Sequence, residues 1–313
     1  MSFNVVEFKI TYSCNFKCMF CIVGDRRNDR RRLVPIEMIE YLDEIMLENQ
    51  INTIHISGGE PTLYKELFEL LKEIKKRPIK NIILHTNAVM LADIEYAKDI
   101  LSIVTHVFIS LHTLNEYTHK SISGVDNMLK LQLKGIENCV SLGSFTLINT
   151  VITKDNLNEL IDISCYLSNI CVSGWMITFP FLAGWVENNK DKIIVNSLSE
   201  LKVQLYPAIE KSINNKMNVV TNGLPLCYLD NHISNLIDSY RSIIKMGFDW
   251  DNRKLIDSVS VKGKEENMLE DFSNIYKSKK CKRCILNYDC PGFSKELIDT
   301  GNWPQLQIVK TLI

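Results

Sequence analysis

Cys14, Cys18 and Cys21 fall within one short segment, Cys-Asn-Phe-Lys-Cys-Met-Phe-Cys, and this C-x3-C-x2-C spacing is a pattern able to do chemistry. Three thiolates on one loop can ligate three corners of an iron–sulfur cubane and leave the fourth iron open, where a fully ligated cluster takes four. A structural zinc ion would need a fourth donor nearby. His55 or a distant cysteine could supply it, but no local residue pair does. Spacing alone therefore favours a cluster over zinc. Downstream stands Ser57-Gly58-Gly59-Glu60-Pro61-Thr62. Glycines at a strand end let backbone approach a ligand closely, and Glu60 can accept hydrogen bonds from an ammonium group. By itself this is an ordinary glycine turn closed by proline; beside the cysteine triplet it reads as part of a ligand site. A third group joins Cys227 to Cys281-x2-Cys284-x5-Cys290, a set that suits either zinc or a second iron–sulfur cluster.

The ten cysteines of this 313-residue chain need an explanation, because disulfides are disfavoured in a reducing compartment. Clustered cysteines then point to metal ligation or redox chemistry, and only Cys139, Cys165 and Cys171 stand singly, as small buried thiols commonly do. The N-terminus shows no basic region followed by an apolar stretch, and no apolar run is long enough to span a bilayer, so a cytoplasmic protein without membrane contact is expected. A net charge of −1 excludes a broadly basic nucleic-acid binder, although Arg26, Arg27, Arg30, Arg31 and Arg32 form one basic run beside the cysteine triplet.

The elements that must position these residues alternate along the chain. Strand patterns are expected at 5–11, 51–57, 81–86, 106–112, 145–153 and 175–181, and helical ones at 35–50, 63–76, 93–103, 127–142 and 156–169. Such β/α units predict a parallel sheet covered by helices, curled by right-handed crossovers into a full or partial barrel. In that architecture chemistry sits at the carboxyl ends of strands, and both the cysteine triplet and the glycine motif follow directly after a strand. Beyond residue 183 the rhythm changes to a helix at 198–214, a short strand at 217–222 and an irregular polar stretch at 230–280. The expected division is a core domain over 1–215 and a small cysteine-rich domain over 216–313.

At this point the sequence resembles the radical S-adenosylmethionine (radical SAM) superfamily. The resemblance rests on the C-x3-C-x2-C loop with aromatic Phe20 before its last cysteine, on Gly58-Gly59-Glu60-Pro61, and on the segments FISLHT (108–113) and LINTVIT (147–153). It covers residues 5–225 and implies a partial (β/α)6 TIM-like barrel. It further implies a site-differentiated [4Fe–4S] cluster on Cys14, Cys18 and Cys21, with SAM bound by Gly58 to Pro61, Ser110 and Asn149. The matching segment of relatives often carries Asp where this chain has His112. The implied chemistry is one-electron cleavage of SAM to methionine and a 5′-deoxyadenosyl radical, which abstracts a substrate hydrogen; the protein supplies orientation and water exclusion.

The C-terminal cysteines resemble a truncated SPASM/twitch domain, which implies one auxiliary [4Fe–4S] cluster on Cys227, Cys281, Cys284 and Cys290. An auxiliary cluster favours net oxidation or bond formation. A cysteine facing the radical would instead give epimerisation, and Cys171, just before strand six, is the lone cysteine placed as that hydrogen donor. The leading expectation is modification of a ribosomally made peptide, with an external electron donor of flavodoxin or ferredoxin type. The first strand begins at residue 5, so a separate peptide-recognition protein or direct binding is expected. The alternatives are a radical SAM dehydrogenase or epimerase acting on an aminoglycoside- or nucleotide-type small molecule, and, in another class, a non-enzymatic zinc or iron–sulfur protein.

Overall fold

The computed structural model describes residues 4–28, 34–245, 253–257 and 275–310. Eight strands form one sheet: β1 (Val5–Thr11), β2 (Thr53–Gly58), β3 (Asn81–Thr86), β4 (His106–Ser110), β5 (Phe145–Val151), β6 (Gly174–Thr178), β7 (Asn218–Asn222) and β8 (Arg253–Asp257). Their order is β7-β6-β5-β4-β3-β2-β1-β8, and every neighbouring pair is parallel. Among the described residues β7 and β8 are the edges, so the sheet is an open partial barrel. This is the α/β, TIM-like architecture expected, with two more strands than the six expected β/α units.

Both extra strands come from beyond residue 215. β7 continues the core sheet from β6, and β8 pairs with β1 at the opposite edge. The stretch expected to be irregular at 230–280 also contains a helix, Ile233–Lys245. β1 (VVEFKIT) and β6 (GWMIT) are buried at every position, as a sheet covered on both faces requires.

The helices between the strands are α1 (Pro35–Glu48), α2 (Leu67–Lys75), α3 (Ile94–Leu101), α4 (Glu116–Ser123), α5 (Leu129–Ser141), α6 (Leu160–Asn169), α7 (Trp185–Ile193) and α8 (Leu198–Asn214), followed by α9 (Ile233–Lys245). Their apolar stripes close the main core on one face of the sheet, with Met38, Leu42, Leu70, Leu71, Ile100, Ile136, Ile163 and Leu205 at little or no exposure. The inner face holds a smaller apolar set, Ile83, Leu147, Met176 and Val220. Two short strands, β9 (Ile275–Tyr276) and β10 (Phe293–Ser294), pair antiparallel ahead of α10 (Lys295–Asp299). Phe179 after β6, Tyr228, Phe293 and Trp303 pack ring to ring and fix this C-terminal segment onto the core. Among the described residues no helix is long and apolar enough to cross a membrane.

Candidate active site

A cavity of about 360 Å³ opens at the carboxyl ends of the strands, within the size range of ligand pockets. Cys14, Cys18, Phe20 and Cys21 line it from the loop after β1, Gly58, Gly59 and Glu60 from the loop after β2, and Ser110 and Asn149 from the ends of β4 and β5. Residues widely separated in sequence therefore share one space, because a parallel sheet delivers every strand's C-terminal end to the same rim.

The cysteine loop is held from several sides. Lys17 N and Met19 N donate to Ser123 O and Ile122 O at the end of α4, at 2.6 and 3.0 Å. Asn87 Nδ2 donates to Asn15 Oδ1 at 2.6 Å. Gly59 N and Glu60 N donate to Thr11 O and Ser13 O, at 2.6 and 2.8 Å. A Cβ on Gly59 would overlap the carbonyl oxygens of Ser13 and Tyr12, and one on Gly58, whose φ is +132°, would overlap Thr11 O. The glycines expected to admit a ligand thus also admit the backbone of the cysteine loop itself.

Glu60 departs from expectation in the same way. Its carboxylate is buried and accepts from Thr62 N (3.1 Å), Thr62 Oγ1 (2.6 Å), Thr86 Oγ1 (2.7 Å) and Asn87 N (2.6 Å). The side chain knits β2 to β3 and is not an open acceptor for an ammonium group. Burial raises its pKa, and the four donors oppose that rise. Pro61 does not line the cavity; it is buried as the first residue of a 3-10 turn, where its fixed φ and missing N–H suit the position.

Ser110 and Asn149 are register partners on β4 and β5. Thr178 Oγ1 donates to Asn149 Oδ1 at 2.6 Å, and Gln132 Nε2 donates to Ser110 O at 2.8 Å, fixing both positions from behind. Phe20 meets the His112 ring edge-on at 4.8 Å between centroids. His112 Nδ1 accepts from Val151 N at 3.1 Å, and desolvation depresses its pKa to about 3, so the ring is neutral. His112 lines the cavity, and the only hint of this in the sequence is its departure from the expected Asp. Glu7, Lys9 and Arg27 also line it, and the first two are legible in the sequence as an i, i+2 pair on one face of β1.

The three thiols fit a cluster. They are half-buried, lie at one end of the cavity, and burial raises their pKa values, that of Cys14 to about 11. Phe16 N donates to Cys14 Sγ at 3.4 Å, and the Arg27 guanidinium lies 4.4 Å over the Trp185 ring, its positive charge opposing the rise in the pKa of Cys21. Among the described residues no three His, Cys, Asp or Glu side chains are gathered around a single-ion centre. His55, considered as a zinc donor, is fully buried against His85 at 2.8 Å. Arg26 bonds the Tyr12 hydroxyl at 3.0 Å, whereas Arg30, Arg31 and Arg32 lie outside the described residues.

Residues 8–164 match the model of the radical SAM superfamily. The chain belongs to the radical SAM superfamily. That family implies an enzyme working with a [4Fe–4S] cluster and SAM. Among similar proteins, a "Probable GTP 3',8-cyclase" of Sulfurisphaera tokodaii is 33% identical over 160 residues, covering 51% of this chain and 50% of the relative. Another of the same description from Sulfolobus acidocaldarius is 32% identical over 166 residues, covering 52% of each. The chain spans about half the length of the curated relatives it matches. Among solved structures, Streptococcus suis SuiB bound to its precursor peptide SuiA covers 99% of this chain and 76% of its own, with TM-score 0.64 and 18% identity. HydG of Carboxydothermus hydrogenoformans covers 95% of this chain and 66% of its own, with TM-score 0.54 and 13% identity. These likenesses are of fold.

Two further sets of cysteines complete the radical SAM chain. Cys227, Cys281, Cys284 and Cys290 converge on one small cavity, the first brought there by the turn Leu226–Tyr228 after β7. Burial raises the pKa of Cys227 to about 11 and also raises that of Cys290. Cys171 does not approach the active site. It is exposed, with φ +59°, between α6 and the start of β6, and the start of a parallel strand lies at the rim opposite the cavity. It is therefore neither a hydrogen donor to this cavity nor a buried core thiol. Cys139 is buried and Cys165 half-buried.

Proposed function

We propose that this radical SAM enzyme cleaves SAM at Cys14, Cys18 and Cys21 and uses the radical to oxidise a ribosomally made peptide, most simply by forming a crosslink. Cys14, Cys18 and Cys21 would hold a [4Fe–4S] cluster, which would supply there the one electron needed to split the S–C5′ bond of SAM and give a 5′-deoxyadenosyl radical. The chain's own residues bind and orient: Gly58 to Glu60, Ser110 and Asn149 around SAM, with Phe20 and His112 closing one wall against water.

The observation that carries the peptide reading is that a single residue, Asn222, borders both the main cavity and a cavity beside the C-terminal cysteine group. This second cavity measures about 90 Å³, and its wall includes Cys290. A substrate extending past Asn222 would lie between the SAM site and an auxiliary [4Fe–4S] cluster held by Cys227, Cys281, Cys284 and Cys290, an arrangement suited to net oxidation. Alignment of 99% of the chain with a peptide-bound structure agrees with this. Among the described residues the cysteines lining the main cavity are Cys14, Cys18 and Cys21, which supports oxidation over thiol-donated epimerisation.

A second reading follows from the sequence relatives named as probable GTP cyclases: a nucleotide-type substrate, whose phosphates would meet Lys9 and Arg27 on the cavity wall. The experiment is anaerobic reconstitution with iron and sulfide, then SAM and dithionite with either GTP or the product of any short open reading frame that sequencing finds beside the gene. A peptide product lighter by two hydrogens, with 5′-deoxyadenosine formed, supports the first reading. Conversion of GTP with the peptide unchanged overturns it.

A further inference from the structure

Arg26 and Arg27 belong to a basic run to which the reaction gives no role. The turn Gly24–Arg26 follows closely on Cys21, and Arg27 closes it by donating its amide to Gly24 O at 3.2 Å. Arg26 turns to Tyr12 and bonds its hydroxyl at 3.0 Å. Arg27 instead shares the wall of the main cavity with Cys14, Cys18 and Cys21. Burial raises the pKa of each of these thiols, and the Arg27 charge opposes the rise in all three. Lys9 has a smaller effect of the same sign at Cys21, and Glu60 acts in the opposite sense at Cys14.

The guanidinium is held in place by a second element. It lies 4.4 Å over the ring of Trp185, the first residue of α7. A planar guanidinium stacks on an aromatic face, so the ring restricts both its position and its tilt. Trp185 is itself seated on the cysteine loop. Its amide donates to Cys21 O at 3.3 Å, and its carbonyl accepts from Asn189 Nδ2 at 2.9 Å. Two glycines make that seat possible. A Cβ on Gly24 would overlap the indole, and one on Gly184, whose φ is +58°, would overlap Ile22 O. Gly24, Arg27, Gly184 and Trp185 thus come from two distant segments and together set a permanent positive charge beside three cysteines.

We propose that Arg27, positioned by Trp185, raises the reduction potential of the cluster held by Cys14, Cys18 and Cys21. On three thiolates an oxidised [4Fe–4S] cluster carries one net negative charge; the single electron it gains from an external reductant makes that two, and no proton moves. A fixed cation nearby stabilises the doubly charged state more than the singly charged one. Its field is screened less in a half-buried site than at an open surface. Arginine suits the task because it stays protonated at every working pH. The inference rests on the reading of these cysteines as the SAM-cleaving cluster site.

The test uses the full chain, reconstituted anaerobically with iron and sulfide and titrated with dithionite while electron paramagnetic resonance is recorded. The signal read is the one that a non-cleavable SAM analogue perturbs, which marks the cluster with an open iron. Arg27→Gln is expected to lower the reduced-to-oxidised ratio at a fixed solution potential at least about threefold, a downward shift of about 28 mV at about 59 mV per tenfold. Arg27→Lys should recover more than half of that shift. Trp185→Leu should move the midpoint the same way by less, and combining it with Arg27→Gln should move it no further, because Trp185 acts through Arg27. Full addition of the two shifts removes Trp185 as the positioning residue. An unchanged midpoint in Arg27→Gln overturns the inference, and if the analogue also binds more weakly, Arg27 is an anion-binding residue instead. Should Arg27→Gln fail to take up iron, Trp185→Leu decides, an unchanged midpoint again overturning the inference. A wild type with no signal that the analogue perturbs removes the cluster reading and this inference with it; a normal wild-type signal that Arg27→Gln leaves unshifted removes the inference alone.

Discussion

Glu60 accepts the backbone amide of Asn87 at 2.6 Å, and Asn87 in turn reaches Asn15 of the cysteine loop at 2.6 Å. One buried carboxylate thereby sets the relative positions of the loops after β1, β2 and β3. Replacing it by an amide of the same shape would turn an NH2 group toward donors that need an acceptor. Glu60→Gln is expected to cost about 1–3 kcal/mol of stability. It should also weaken SAM binding, since the loop it anchors lines the cavity. Chemical denaturation and equilibrium binding of SAM check both; retention of wild-type stability would show that the network is dispensable.

Gly59 is held against the backbone of Tyr12 and Ser13, while Gly143 has nothing within 4 Å of where a Cβ would stand. Gly59→Ala must move the cysteine loop and is expected to cost upwards of about 2 kcal/mol and to lower iron incorporation. Gly143→Ala, whose φ is +76°, should cost only the left-handed penalty of about 1 kcal/mol and leave iron unchanged. Paired melting curves and iron assays distinguish steric from conformational cost.

The cysteines should separate by place. Cys18→Ala is expected to abolish 5′-deoxyadenosine formation and remove about four irons per chain. If the proposed auxiliary cluster is held by Cys227, Cys281, Cys284 and Cys290, Cys290→Ala should lower iron content below that of the wild type while leaving some SAM cleavage. Cys171→Ser, at the opposite rim, should leave iron, SAM cleavage and product unchanged. A loss of product in Cys171→Ser alone would return that residue to the chemistry.

His112 is neutral in the fold, its pKa lowered to about 3 chiefly by burial and secondarily by His119, against 6.5 for an ordinary imidazole. The unfolded chain therefore binds a proton that the folded chain refuses between those two values. The associated stability is complete above about pH 6.5 and is lost as pH falls toward 3, with a slope of at most about 1.4 kcal/mol per pH unit. His112→Asn keeps an acceptor for Val151 N without a titrating ring, so its stability should fall less steeply with acid than that of the wild type. Denaturant midpoints at pH 4, 5, 6 and 7 for both proteins give the difference in slope, and equal slopes would rule out His112 as the cause.

Much of the architecture was legible because its signals are local. VVEFKIT and NIILHT read as strands and are β1 and β3 to the residue, since a buried parallel strand is dominated by apolar and β-branched residues. The cysteine and glycine motifs follow strands, and strand ends share a rim, so their convergence on one cavity was readable as well. The helices α4 and α7 were not. Their sequences, EYTHKSIS and WVENNKDKI, are mostly polar and carry no clear apolar stripe. They form because Asn115 caps α4 and because Trp185 packs over Gly24 of the cysteine loop. β8 was also missed, its pairing to β1 lying more than 240 residues away in sequence.

The sequence by itself determined the strand-and-helix rhythm, the placing of three thiols on one loop, and the family to which the chain belongs, because each is written in residue types at short spacing. The tertiary structure alone decided what those residues do with one another. It engaged the Glu60 carboxylate with Thr62, Thr86 and Asn87, put Gly59 against the cysteine loop, sent Cys171 to the far rim, and brought Cys227 beside Cys281, Cys284 and Cys290. The physical reason is that hydrogen-bond satisfaction and close packing are properties of neighbours in space, which a buried polar group must find wherever the fold supplies them.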